Sequence, residues 1–180
     1  MKAVFVLLRS LTYGSLFVAL LLVLVPARVL EWSGITRPAG MGVAQWAGGT
    51  IAMGGAALAV WCVLTFWLVG RGTPAPFDAP RRLVVSGPYR WVRNPMYLGA
   101  VAALMGAALY YGSVALAGYG VLFFALAHVF VRAYEEPTLR RTFGAAFEAY
   151  RHHVGRWLPR AHDRTRGERT RHKEVKPTCR

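Results

Sequence analysis

Three long stretches of this chain carry no charged side chain: Leu11 to Ala27, Gly42 to Gly70 and Asn94 to Val131. A helix needs about 20 apolar residues to cross the ~30 Å hydrocarbon core of a bilayer, and inside it every backbone polar group must be paired internally. The expected fold class is therefore all-α and integral to the membrane. The third stretch is too long for one crossing and is broken by Tyr110-Tyr111-Gly112-Ser113. It reads as a tight helical hairpin, with one helix over 95–110 and the next over 114–134. With the first two stretches this gives four transmembrane helices. At ~1.5 Å per residue the 95–110 helix spans only about 23 Å, short of the hydrocarbon thickness. The first stretch also has the outline of a cleaved signal peptide, with Lys2 and Arg9 ahead of it. Its length exceeds an ordinary h-region, so a retained helix is expected.

Charge sets the orientation. The chain has 22 Lys+Arg against 8 Asp+Glu, a formal net charge of +14. The basic residues gather at the ends of the apolar runs and in the tail, a pattern suited to an anionic membrane surface and not to a nucleic-acid partner. The loop from Arg71 to Arg93 holds Arg71, Arg81, Arg82, Arg90 and Arg93 against Asp78 alone, and the hairpin tip holds no charge. By the positive-inside rule both termini and the 71–93 loop face the cytoplasm, as in a bacterial-type inner membrane. Beyond the hairpin, Leu139, Phe143, Phe147, Tyr150 and Val154 recur at helical spacing opposite Arg140, Arg141, Glu148 and Arg151. This predicts one amphipathic cytoplasmic helix, started by Pro137 after a kink. Residues 1–159 form the expected membrane domain, and the basic tail 160–180 is expected to be disordered.

Two polar segments flank the hairpin and meet at its cytoplasmic end: Ser86 to Gly99, and Arg132-Ala133-Tyr134-Glu135-Glu136-Pro137. Glu135 and Glu136 are the only acids between Asp78 and Glu148. They read either as flanking charges paired to Arg132 or as carboxylates for a hydroxyl-rich or cationic ligand. Asn94-Pro95 reads as a cap with proline at the first helical position, where free N–H groups also suit a carboxylate. Gly99 permits close approach of a ligand or a neighbouring helix. His128 shares a helix face with Arg132 and Glu135, either as a satisfied interhelical hydrogen-bonding group or as a functional one. Gly70-Arg71-Gly72 is too common a pattern to mark a phosphate loop. Cys62 and Cys179 suggest neither a disulfide nor a metal site, and His152-His153 lacks a third ligand at metal spacing.

The ordered run Ser-Gly-x-Tyr, Asn-Pro-Met-Tyr-x-Gly, Glu-Glu-x-x-Leu, Phe-Gly-x-x-Phe-x-x-Tyr and Arg-Trp-Leu-Pro, over about residues 70–159, resembles the integral-membrane methyltransferases. These include isoprenylcysteine carboxyl methyltransferases and phospholipid N-methyltransferases. The resemblance implies an S-adenosylmethionine pocket at the cytoplasmic ends of the last two membrane helices. Its cofactor contacts would come from Arg81, Arg82, Leu83, Val84, Tyr89, Asn94, Pro95, Met96, Tyr97 and Glu135. Glu136 and His128 are the candidate bases for an amine acceptor, and Arg132 is the nearest candidate cation. Asn94-Pro95-Met96-Tyr97 and Tyr134-Glu135-Glu136-Pro137 follow the phospholipid-type variants. The isoprenylcysteine enzymes have His-Pro at the first motif and a substrate-facing Arg four residues before the first Glu, where this chain has Val131. Gly155 stands where proline is usual.

The expected function is S-adenosylmethionine-dependent methyl transfer to a lipid or apolar acceptor drawn from the bilayer, at the cytoplasmic membrane face. An isoprenylcysteine-type carboxyl methyltransferase, a nicotinamide-dependent membrane reductase on a related scaffold, and a non-catalytic scaffold or carrier are the other readings. A carrier should show inverted repeats, which the sequence lacks.

Overall fold

The computed structural model describes residues 19–35, 38, 40–65, 68 and 83–160. Its elements are helical, and no strand occurs among the described residues. Helix α1 runs over Val25–Trp32 and follows a single π turn at Leu20–Leu24. Helix α2 covers Val43–Thr65, α3 Pro95–Tyr111 and α4 Val114–Phe130. A second π turn, Val131–Glu135, leads from α4 into α5, Glu136–Phe143, and α6 follows at Ala145–His153.

Two helical segments are long and apolar enough to cross a membrane: Val43–Thr65, and the continuous run Val114–Phe143. The apolar helix α3 is shorter, at 17 residues. The expected count of four crossings depends also on the first apolar run, most of which lies outside the described residues, as do Gly70-Arg71-Gly72, Arg81, Arg82, Cys179 and the tail beyond Arg160.

Glycines fix the pairing of α2 and α3. Water-driven burial cannot hold helices together in lipid, so close backbone packing must. Gly48 and Gly55 on α2 recur with the same seven-residue spacing as Gly99 and Gly106 on α3. A Cβ at Gly55 would lie 2.5 Å from the Ala103 nitrogen and 2.5 Å from the Gly99 carbonyl oxygen. One at Gly48 would lie 2.7 Å from the Gly106 oxygen. The two helices therefore run antiparallel, with Gly48 level with Gly106 and Gly55 level with Gly99. Of the two roles open to Gly99, close helix approach is the one the structure displays.

The hairpin turns where its sequence allows. Gly112 takes the left-handed conformation, φ +64°, at the end of α3. Ser113 then caps α4, its hydroxyl accepting from the Leu116 N–H at 3.2 Å. Helix α1 is tied to α4 by the Tyr119 hydroxyl, which donates to the Leu21 carbonyl at 2.8 Å, within the π turn.

Pro137 stands in the first turn of α5, as expected, but a π turn and not a sharp kink precedes it. It cannot donate to the preceding turn and its ring crowds it, and the chain widens into the Val131–Glu135 π turn while the helix continues to Phe143. The amphipathic stretch is not one helix but two, divided at Gly144, which has φ +49°. The apolar period survives the break: Phe147 and Val154 are buried, and Leu139, Phe143 and Tyr150 are half-buried. Arg140 and Glu148 pair across the division at 2.5 Å.

Candidate functional site

The start of α3 and the end of α4 stand together, as the hairpin requires. Their meeting point is Tyr97, whose hydroxyl donates to Glu135 Oε2 at 3.4 Å. Among the described residues this long contact is the only hydrogen bond the Glu135 carboxylate makes. Met96 belongs to the same region, packed against the buried group of Cys62, Val84 and Tyr89. Of the sequence-derived cofactor residues, Val84, Tyr89, Asn94 and Pro95 are thus buried around the start of α3, and Leu83 is half-buried. Asn94 does not cap α3 with its side chain. Its Nδ2 instead donates to the Arg156 carbonyl at 3.3 Å.

Glu136 faces away from Glu135 and does a different job. Its Oε1 lies 2.9 Å from Arg93 Nη1 and 2.7 Å from Arg156 Nε, and its Oε2 accepts from Arg156 Nη2 at 2.8 Å. The expected pair between Arg132 and either glutamate is not formed. Arg132 lies on the exposed face of the π turn, whereas Val131 is 1% exposed. The hydrogen bonds it donates to the Glu136 carboxylate hold the Arg156 guanidinium charged above its ordinary range. Burial pulls Arg93 the other way, and Glu136 only partly offsets it.

Arg156 belongs to a strap, residues 154–159, laid along residues 92–94. Val92 and Gly155 form a parallel bridge, with the Arg93 N–H donating to the Gly155 carbonyl at 2.8 Å. The Tyr150 hydroxyl donates to the Tyr89 carbonyl at 2.6 Å and extends the seam. Glycine at 155 has a steric cause: a Cβ there would collide with the carbonyl oxygen of Leu158, where the strap doubles back.

The strap places Trp157 between the two hairpin helices. Its Nε1–H donates to His128 Nδ1 at 3.0 Å, and the two rings meet edge to edge, near-parallel, with centroids 5.9 Å apart. Phe124 meets the indole edge-on at 4.9 Å, and Tyr97 at 6.4 Å from the other side. An indole N–H can only donate, so Nδ1 is the acceptor and the proton of a neutral His128 ring sits on Nε2. Sequence reasoning named Glu135, Tyr97 and His128 but assigned no role to Phe124, Trp157, Arg93 or Arg156. Arg-Trp-Leu-Pro was visible as a motif, yet nothing in its spacing shows that it folds back over the site.

The fold and the site together define a helical membrane protein with a polar, aromatic-walled site at one end of an antiparallel hairpin. The chain belongs to the phospholipid methyltransferase family, whose model matches residues 43–146. The match takes in all of α2, earlier than the motifs alone suggested, and ends before the strap. No curated protein and no solved structure gives a match.

Proposed function

We propose that this protein transfers a methyl group from S-adenosylmethionine to the amine of a membrane lipid headgroup, at the cytoplasmic face. The observation that carries the proposal is the family match over 43–146 combined with the under-satisfied Glu135 carboxylate facing Tyr97 at the start of α3. When bound, S-adenosylmethionine supplies an electrophilic methyl on a sulfonium centre.

The residues fit such a group. A half-buried carboxylate with open acceptor capacity suits ribose hydroxyls or an α-amino group. The first-turn N–H groups of α3 suit the α-carboxylate. Tyr97 offers a ring face to the sulfonium cation. Leu83, Val84, Tyr89, Asn94, Pro95, Met96, Tyr97 and Glu135 would hold it, together with Arg81 and Arg82 from beyond the described residues.

The chain's own residues then orient the acceptor and limit water, the two contributions a methyl transfer most needs. An amine acceptor must lose a proton. Glu136, bound by two guanidiniums, is a poor base, and His128 Nδ1 is engaged by Trp157. Glu135 is the carboxylate left with capacity for that proton, directly or through water. A carboxylate acceptor is disfavoured, because Val131 fills the inward position and Arg132 faces out. A charge buried without a partner costs several kcal/mol.

The test is a labelled-methyl assay with the purified protein in vesicles, offering phosphatidylethanolamine and a farnesylated cysteine analogue side by side. Label is expected on the phosphatidylethanolamine amine. Preferential labelling of the farnesylated cysteine would replace the acceptor while keeping the chemistry. Absence of label from both, with no calorimetric binding of S-adenosylmethionine, would sink the whole proposal.

A further inference from the structure

The C-terminal strap lies beyond the family-matched residues, yet it supplies the ring that separates the two hairpin helices next to the polar site. Trp157 touches Tyr97 of α3 on one side and Phe124 and His128 of α4 on the other. Tyr97 bonds Glu135, so the indole abuts the polar end of the site. Phe124 and His128 lie eleven and seven residues before Glu135 on the same helix. At ~1.5 Å per residue they lie about 10–17 Å deeper along α4, toward the bilayer. The indole therefore stands on the line a lipid-borne acceptor would take between α3 and α4 to reach Glu135.

Nothing in the strap's own backbone would hold a tryptophan there. Residues 154–159 are not helical, and apart from the single bridge to Val92 they make no regular pairing. The seat comes from side chains. Arg156, next to Trp157, is bonded through two nitrogens to Glu136, which also meets Arg93. Asn94 holds the Arg156 carbonyl, and His128 holds the indole nitrogen.

We infer that Trp157 is the acceptor-specificity residue of this enzyme, a wall on the lipid side of the site, and that Glu136 is a positioning residue that seats it through Arg156. The inference rests on the methyltransferase reading above. The Trp157 ring face meets the headgroup amine, while the cofactor's contacts lie on the Glu135 side. Trp157 should therefore govern the acceptor's KM and leave the cofactor's affinity alone.

The experiment compares the full-length wild type with Trp157→Ala, Trp157→Phe and Glu136→Gln in vesicles. It measures S-adenosylmethionine binding by calorimetry and the KM for phosphatidylethanolamine by labelled-methyl transfer. Trp157→Ala is expected to raise the acceptor KM about tenfold, the scale of a lost hydrophobic and cation–π wall. Trp157→Phe should recover most of that loss, because it keeps a ring without the indole N–H. Glu136→Gln should raise the acceptor KM in the same sense, with cofactor affinity within about twofold of wild type in all three variants. An unchanged acceptor KM in Trp157→Ala would overturn the inference. So would a fall in cofactor affinity as large as the rise in KM, since Trp157 would then belong to the cofactor site or to general folding. If the wild type itself binds no S-adenosylmethionine, the failure lies in the methyltransferase reading and not in the assignment of Trp157.

Discussion

Adjacent glutamates on one helix point about 100° apart, so Glu135 and Glu136 could not share one role. Glu135 meets a tyrosine hydroxyl at 3.4 Å, and Glu136 meets two arginines. Substituting each should separate the roles. Glu135→Gln is expected to weaken S-adenosylmethionine binding roughly 10- to 100-fold, the loss of one charge-assisted contact worth about 1.5–3 kcal/mol. Its thermal midpoint should hold, because no ion pair is broken. Calorimetry beside a melting curve checks both, and full affinity in the folded variant would remove Glu135 from the site. Arg156→Met should do the reverse, lowering the melting midpoint by freeing the strap while leaving cofactor affinity in place. Arg156 is partly exposed, so solvent screening holds the expected loss to about 1 kcal/mol. The sequence disclosed the two acids and the tyrosine because they stand in local motifs. It did not disclose their partners, since Arg93 and Arg156 reach Glu136 from 43 residues before and 20 after. Contacts at such separation leave no periodicity to read.

The helices themselves were legible because hydrophobic runs and breakers are local. Gly112-Ser113 ends one helix and caps the next much as expected, and α3 and α4 begin where the breakers place them. The π turn was not legible, because its cause is a proline that the helix absorbs instead of stopping at. The pairing of α2 with α3 was half legible: Gly99 stood out, but its partners Gly48, Gly55 and Gly106 are individually unremarkable in a membrane helix. Their role yields a prediction with its own control. In a helix interior Gly→Ala normally stabilises by about 0.5–1 kcal/mol. Gly54 and Gly118 have open space where a Cβ would go, so Gly54→Ala and Gly118→Ala should be neutral or stabilising by that amount. At Gly106 a Cβ would meet the Ala52 nitrogen, and at Gly55 it would lie 2.5 Å from backbone atoms of Ala103 and Gly99. Backbone cannot swing aside as a side chain can, so Gly106→Ala and Gly55→Ala should lower the melting midpoint in detergent. Equal effects at all four positions would mean that the α2–α3 contact is not held by glycine.

At the scale of the molecule, two rings of aromatics mark its ends. The glycine pairing puts Trp46, near the start of α2, level with Tyr110 and Tyr111 at the end of α3. Trp61 meets Trp91 edge-on at 6.1 Å at the other end, where the Arg90 guanidinium sits 4.6 Å over the Trp91 ring. Trp46 and Trp61 are fifteen residues apart, about 22 Å along the axis, and both are exposed. That separation fits aromatic belts at the two interfaces of a bilayer thinned around the short α3. Charge breaks the symmetry. The Trp61–Trp91 end carries Arg90, Arg93, Arg132, Arg140 and Arg141, while near the other end Arg28 is paired to Glu31 at 3.0 Å. By the positive-inside rule the Trp61–Trp91 end, with Glu135 and the strap, is expected in the cytoplasm and the hairpin tip outside. Single cysteines at Val114 and His152 test this in intact cells, on a background with Cys179→Ser. Val114 is 86% exposed at the tip, and His152 is exposed on α6. The native Cys62 is fully buried and should stay silent towards a membrane-impermeant maleimide. Cysteine at 114 is expected to label from outside, and cysteine at 152 only after the cells are opened. The reverse pattern would invert the protein, putting the cofactor site on the face that lacks cytoplasmic S-adenosylmethionine, and the proposed function would fall with the topology.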